Sequence, residues 1–161
     1  NDLGVCYLRI EKGGIKESPF EGAHFKIGES IEMITGGQDI TFISCGRILE
    51  ECLQASQELK LLGINANVVS MHTIKPIDKQ AIETAALTSK AIVTVEEHST
   101  IGGLGGEIAE VISSSNNSVP LLRLGVASLF RHAGDYQYLL KENELQPEQI
   151  AKNIQDRYLK I

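Results

Sequence analysis

The sequence predicts an α/β fold in which a mostly parallel sheet is covered on both faces by helices. Three observations carry this expectation. Short apolar runs rich in Val and Ile recur at residues 40–43, 66–70, 91–95 and 120–126, as expected of strands buried on both faces. Segments of helical length and spacing separate them, which calls for right-handed crossovers between parallel neighbours. Glycine and Ser/Asn clusters mark the joins, as at Gly36-Gly37 and residues 113–118. At 161 residues the chain suits one domain that buries roughly two-thirds of its unfolded surface.

The elements follow in order. Val5-Cys6-Tyr7-Leu8-Arg9-Ile10 reads as a strand, and since a strand needs a partner it reads as the tail of a preceding domain. Residues 11–28 mix Gly, Pro, Glu and Lys without periodicity, a linker or surface loop, so the fold proper is expected to start near Phe25. Residues 31–34 form a short strand, and Gly36-Gly37-Gln38-Asp39 supplies a turn into Ile40-Thr41-Phe42-Ile43, a pairing expected to be antiparallel. After Gly46, Ile48, Cys52, Ala55, Leu59 and Leu62 share one face of a helix that Gly63 closes. Residues 66–70 are the next strand, and Lys75-Pro76-Ile77-Asp78 opens a helix through Leu87 with Asp78 as its cap. The strand at 91–95 ends in a polar turn, Glu96-Glu97-His98, and Gly102, Gly103, Gly105 and Gly106 lead into a helix bearing Ile108, Val111 and Ile112. A strand at 120–126 and a last helix started by Pro147, with Ile150, Ile154, Tyr158 and Ile161 along its stripe, complete the series.

Apolar content of 42% and charged content of 22% are those of an ordinary globular chain. A net charge of −6 gives no electrostatic basis for binding nucleic acid or an anionic membrane. Cys6, Cys45 and Cys52 lack CxxC spacing and read as buried small hydrophobes in a reducing compartment. No window approaches the roughly 18 apolar residues of a spanning helix, and no secretory pattern opens the chain, so a cytoplasmic location is expected.

The strand ends at Ser44-Cys45-Gly46-Arg47, Ser70-Met71-His72-Thr73 and Glu96-Glu97-His98 share the carboxyl edge of the sheet, where ligands and partners meet such folds. A glycine cluster opening a helix can present N–H groups to a phosphate. Here, however, Ile108 replaces the last glycine of a GxGxxG pattern begun by Gly103 and Gly105, and Val119 stands where a ribose-binding acid falls. Glycines that permit close helix packing explain the cluster equally well. Cys45, His72 and His98 have the residue types for a metal site, and Cys45 with a histidine and Glu97 those for a thiol nucleophile and its base, without diagnostic spacing. Glu96 and Glu97, adjacent on a strand end, point to opposite faces, which argues against a joint acid/base pair. Arg123 and Arg131 are candidate anion receivers or capping groups. Chemistry alone leaves a site-poor domain whose interface or anion candidates are Glu97, His98, Gly102, Gly103 and Gly105. No catalytic, cofactor-binding or metal residue is assigned.

These motifs together resemble the C-terminal domain of transketolase-type, thiamine-diphosphate-dependent enzymes. The matching stretches are Gln38-Asp39-Ile40-Thr41-Phe42-Ile43-Ser44-Cys45-Gly46, His72-Thr73-Ile74-Lys75-Pro76-Ile77-Asp78, and Thr94-Val95-Glu96-Glu97-His98 with Gly102-Gly103-Leu104-Gly105. The order and spacing also match across residues 122–154. The resemblance implies a three-layer α/β/α domain with a five-stranded mixed sheet, one strand antiparallel. It implies that residues 1–24 are the tail of a preceding pyrimidine-binding domain and a linker, with the C-terminal domain at 25–161. It further implies that thiamine diphosphate and its divalent metal ion (Mg) are held by other parts of the parent enzyme. That enzyme would transfer two-carbon ketol units between sugar phosphates, in the pentose phosphate pathway, while this chain serves assembly or regulation and is inactive alone. The implied partners are the other transketolase domains or an N-terminal subunit, in a homodimer. Lys75-Pro76-Ile77-Asp78 is similar to split transketolases or to deoxyxylulose-phosphate synthase, and Glu96-Glu97-His98 leans towards the split type. The beta subunits of 2-oxo-acid dehydrogenases share the Glu-Glu and glycine features but differ from Leu129 onward. A stand-alone anion- or nucleotide-binding module and a thiol enzyme built on Cys45 are the readings from other classes.

Overall fold

Strands and helices alternate through most of the chain in a computed structural model that describes residues 4–10, 20, 22–130 and 132–158. The strands are β1 (Ile31–Ile34), β2 (Ile40–Ser44), β3 (Ala66–Ser70), β4 (Ala91–Ser99) and β5 (Leu121–Val126). The helices are α1 (Leu49–Leu61), entered through a 3₁₀ turn at Gly46–Ile48, then α2 (Lys79–Thr88), α3 (Leu104–Ser114), α4 (Tyr136–Glu142) and α5 (Pro147–Tyr158). One sheet holds the strands in the order β1-β3-β2-β4-β5. β2 lies parallel between β3 and β4, β5 is parallel to β4, and β1 alone is antiparallel.

The side-chain alternation of β2 explains its central place. Ile40 and Phe42 join the core under α1 and α5, whereas Ile43 joins the core under α2 and α3. Both faces must therefore be covered, which gives the three-layer arrangement. The expected β1–β2 hairpin is not formed, and β1 pairs with β3 instead. Asn67 of β3 shows why: its Oδ1 accepts from Gly37 N–H at 2.7 Å and its Nδ2 donates to Gly37 O at 2.8 Å. The turn is thus pinned across the start of β3, and a Cβ on Gly37 would lie 2.5 Å from the Ala66 carbonyl carbon. β2 is left free to take two parallel neighbours.

Helix ends follow their sequence signals. At the close of α1, Ile64 N–H donates to Leu59 O and Gly63 N–H to Lys60 O, both at 3.0 Å, a Schellman pair with Gly63 at φ +78°. Ile48, Cys52, Ala55 and Leu59 are buried as expected, but Leu62 is exposed because it is the C-cap, where the helical rotation stops. Asp78 caps α2 by accepting from Ala81 N–H at 3.0 Å. Its other oxygen accepts from the Ser30 N–H and hydroxyl at 2.8 and 2.9 Å, tying α2 to the entry of β1.

The expectation of three buried cysteines fails at the surface. Val5 to Ile10 pair with no strand of this sheet, and the apolar Val5, Tyr7, Leu8 and Ile10 are exposed. Cys6 is accordingly exposed and Cys45 half-buried, leaving Cys52 as the buried thiol. Tyr158 ends α5, its side chain and all of Ile161 lying outside the described residues, while Ile150 and Ile154 are buried on the expected stripe.

Candidate carboxyl-edge interface

β4 does not stop at Val95. It runs on through Glu96, Glu97 and His98 to Ser99, which pairs with Val126 of β5 after an irregularity in register. Gly125 makes room for this extension: a Cβ there would lie 2.8 Å from His98 O and 3.1 Å from Glu96 Cγ. The predicted polar turn is therefore strand, because β5 continues the ladder beside it.

Strand alternation sends the two glutamates to opposite sides, as expected. Glu96 is 2% exposed. Its Oε2 accepts from Leu104 N–H at 2.9 Å and its Oε1 from Gly105 N–H at 3.0 Å. The N-cap of α3 is Gly103, which has no side chain to receive the orphan amides. Glu96 supplies the acceptor, and its negative charge meets the positive end of the helix dipole. Gly103 sits at φ +134°, and a Cβ on it would come within 2.2 Å of Glu96 Oε2. Gly105 is needed for a different reason, since its Cβ would meet Thr94 Oγ1 and Arg123 Cδ at 2.8 Å. The glycine cluster thus houses the chain's own carboxylate. A residue pattern of strand, acid and uncapped glycine-led helix was the available signal for this contact.

On the other side, the Tyr136 hydroxyl donates to Glu97 Oε1, and the Arg47 guanidinium lies over the Tyr136 ring at 3.9 Å. Burial raises the Tyr136 pKa, and the Glu97 carboxylate raises it further, so the phenol remains protonated. Arg47, Glu97 and Tyr136 join the start of α1, the end of β4 and the start of α4 at one point. Glu51 is buried close by, and its pKa is raised first by burial and then by Glu50, with Arg47 opposing.

The other candidates are dispersed. His98 is exposed, with Nδ1 3.1 Å from Ser99 O. His72 packs edge-on to Phe25 at 5.0 Å between centroids, with Nε2 3.2 Å from Lys26 O. Among the described residues no three His, Cys, Asp or Glu side chains are grouped to hold a metal, so Cys45, His72 and His98 do not converge. Arg123 Nη1 donates to Thr100 O at 3.2 Å, bracing the loop after β4, and Arg131 lies outside the described residues. Gly102 takes φ +78° in that loop. No helix among the described residues is long and apolar enough to cross a membrane.

Comparison with known proteins matches residues 29–150 to the family described as transketolase, C-terminal domain. The chain belongs to the transketolase C-terminal domain family. A Methanocaldococcus jannaschii protein described as a transketolase C-terminal section is 43% identical over 87% of this chain and 43% of its own length. A 6-deoxy-6-sulfo-D-fructose transketolase subunit from Clostridium sp. is 35% identical over 92% of this chain and 46% of its own length. A 1-deoxy-D-xylulose-5-phosphate synthase from Nitrosospira multiformis is 35% identical over 77% of this chain but only 19% of that enzyme. Among solved structures, a split gene transketolase described as an inactive beta4 tetramer superposes with a TM-score of 0.78 at 33% identity, covering 84% of this chain and 44% of that one. The chain thus spans less than half the length of the first two relatives.

Proposed function

We propose that this chain is the C-terminal domain of a transketolase-type enzyme that moves a two-carbon ketol unit between sugar phosphates with thiamine diphosphate, and that its own work is assembly. The observation that carries this reading is the family match combined with the filled helix start at Glu96. A diphosphate and its metal ion need free donors and a cluster of ligands. Here the first amides of α3 are taken by Glu96, and Glu97 and Glu51 add negative charge at the same edge. The residues of this edge do not fit thiamine diphosphate, whose place is in other parts of the enzyme. The same contact disfavours a stand-alone anion-binding module.

Glu97, His98 and the loop bearing Gly102 and Gly103 then shape the surface that meets the remaining domains or subunit. Ketol transfer is expected from the native enzyme and absent from this chain alone; transfer by the purified chain overturns the reading. Formation of a 1-deoxy sugar phosphate by the native enzyme would favour the synthase branch that the Nitrosospira relative represents. In the native enzyme, His98→Ala is expected to lower assembly and, with it, cofactor retention, while turnover per assembled enzyme stays unchanged. Normal assembly with a large fall in turnover would place His98 in the reaction itself.

A further inference from the structure

The loops 99–103 and 127–130 leave the sheet side by side, from β4 and β5, joined where Thr100 N–H donates to Val126 O at 3.3 Å. They carry large apolar side chains into solvent: Ile101 is 71% exposed, Leu129 69% and Phe130 109%. The second loop is framed rather than trailing. Leu129 N–H donates to Ala127 O at 2.7 Å, and His132 Nδ1 lies 3.2 Å from Glu142 Oε1. Asp135 caps α4 by accepting from Tyr138 N–H at 2.8 Å, and the next residue, Tyr136, is bound to Glu97. Gly134 lets the Tyr138 ring close over the turn, since a Cβ there would lie 2.2 Å from that ring. Framed apolar residues gathered at one edge mark an interaction surface.

We infer that Ile101, Leu129 and Phe130 form one docking surface for an apolar recess on the polypeptide that the relatives carry outside the matched region, with Tyr136 as its positioning residue. This rests on the transketolase-type reading above. More than half of the first two relatives is such polypeptide, because the match covers only 43% and 46% of them. A second copy of this chain is the alternative occupant that the test below separates. The apolar cleft of about 170 Å³ lined by Ile40, Ala91, Leu122 and Ile154 sits at the opposite ends of the strands. Its use by a second copy against the loops 99–103 and 127–130 would be a head-to-tail contact, not a two-fold one.

The test compares amide hydrogen exchange in the native enzyme, isolated through a tag on this chain, with exchange in the 161-residue chain alone. Residues 99–103 and 127–130 are expected to be slowed in the native enzyme only. Equal exchange in both overturns the proposal, as does slowing in the isolated chain that grows with its concentration, which would make a second copy the occupant. The Ile101→Ser/Phe130→Ser variant is expected to keep the melting temperature of the isolated chain and to weaken assembly at least about 100-fold. Tyr136→Phe, which keeps the ring under Arg47 and loses the hydroxyl, is expected to weaken assembly about 10-fold. Wild-type assembly by the double variant rejects the surface. Ketol transfer by the wild-type native enzyme is scored separately, so slowed loops without transfer would sink the enzymatic reading and leave the docking surface standing.

Discussion

Glu51 and Cys52 sit next to each other on α1 and show how burial, more than composition, sets what a side chain can do. Burial raises the Glu51 pKa and the neighbouring carboxylates of Glu50, Glu148 and Glu97 add to it, with Arg47 opposing. A folded-state pKa above the unfolded one means that ionisation costs stability as pH rises through the folded value. Glu51→Gln is therefore expected to stabilise the chain at neutral pH by at most about 1 kcal/mol. The gain should vanish below about pH 4, where Glu51 is protonated folded or unfolded. Denaturant melts at both pH values measure it, and a larger gain at low pH contradicts the account. The Cys52 thiol is pushed up to about 12 by burial. Alkylation under native conditions should mark the exposed Cys6 first and leave Cys52 until unfolding. Cys52 was legible as a core residue from its place on the helical stripe. Cys6 was not, because its apolar neighbours suggested burial, whereas they and the thiol are exposed.

Element ends were read correctly at α1 and α2, where short-range signals act, but α4 and its Asp135 cap went unread. Gly63 closes α1 and Asp78 opens α2 because each acts through amides or carbonyls a few residues away. The end of β4 depends on contacts remote in sequence. Three polar residues look like a turn until Gly125 of another strand is known to lie beside them and the amides of α3 are known to need an acceptor. The β1 pairing failed for the same kind of reason, since Asn67 reaches Gly37 across thirty positions of sequence. Burial alone would raise the Asp78 pKa, but hydrogen bonds from Ala81, Ser30 and Gln80 outweigh it and hold the carboxyl below its usual range. A depressed folded-state pKa gives stability that is present above the unfolded value and lost as pH falls through the folded one. Asp78→Ala should cost about 1–2 kcal/mol at pH 7, and the deficit should narrow in acid. Because Asp78 also holds Ser30, faster hydrogen exchange in β1 is expected in the same variant. A change confined to α2 would show that the Ser30 contact carries no stability.

For the whole molecule, a mostly parallel sheet covered on both faces was legible from apolar runs and crossovers, and the five strands with one antiparallel were implied by the family resemblance, but the order that sets β1 beside β3 was not foreseen. The proposed interface was only half visible: Glu97 and His98 were marked by position, whereas the exposure of Leu129 and Phe130 gave no signal in the sequence. Wild-type chain should show no rise in melting temperature with added phosphate or thiamine diphosphate, because a ligand of the folded state raises it by mass action. A rise would reopen the anion-binding reading. The Glu96 contact at the start of α3 sets up a competition. A tethered carboxylate is always present at its socket, so a dissolved anion would have to displace an occupant that never diffuses away. Removing that occupant, as in Glu96→Gly, should turn the start of α3 into a vacancy that sulfate or phosphate can fill, recovering part of the stability lost. While Glu96 stays in place, the Leu104 and Gly105 amides are not on offer to a phosphate.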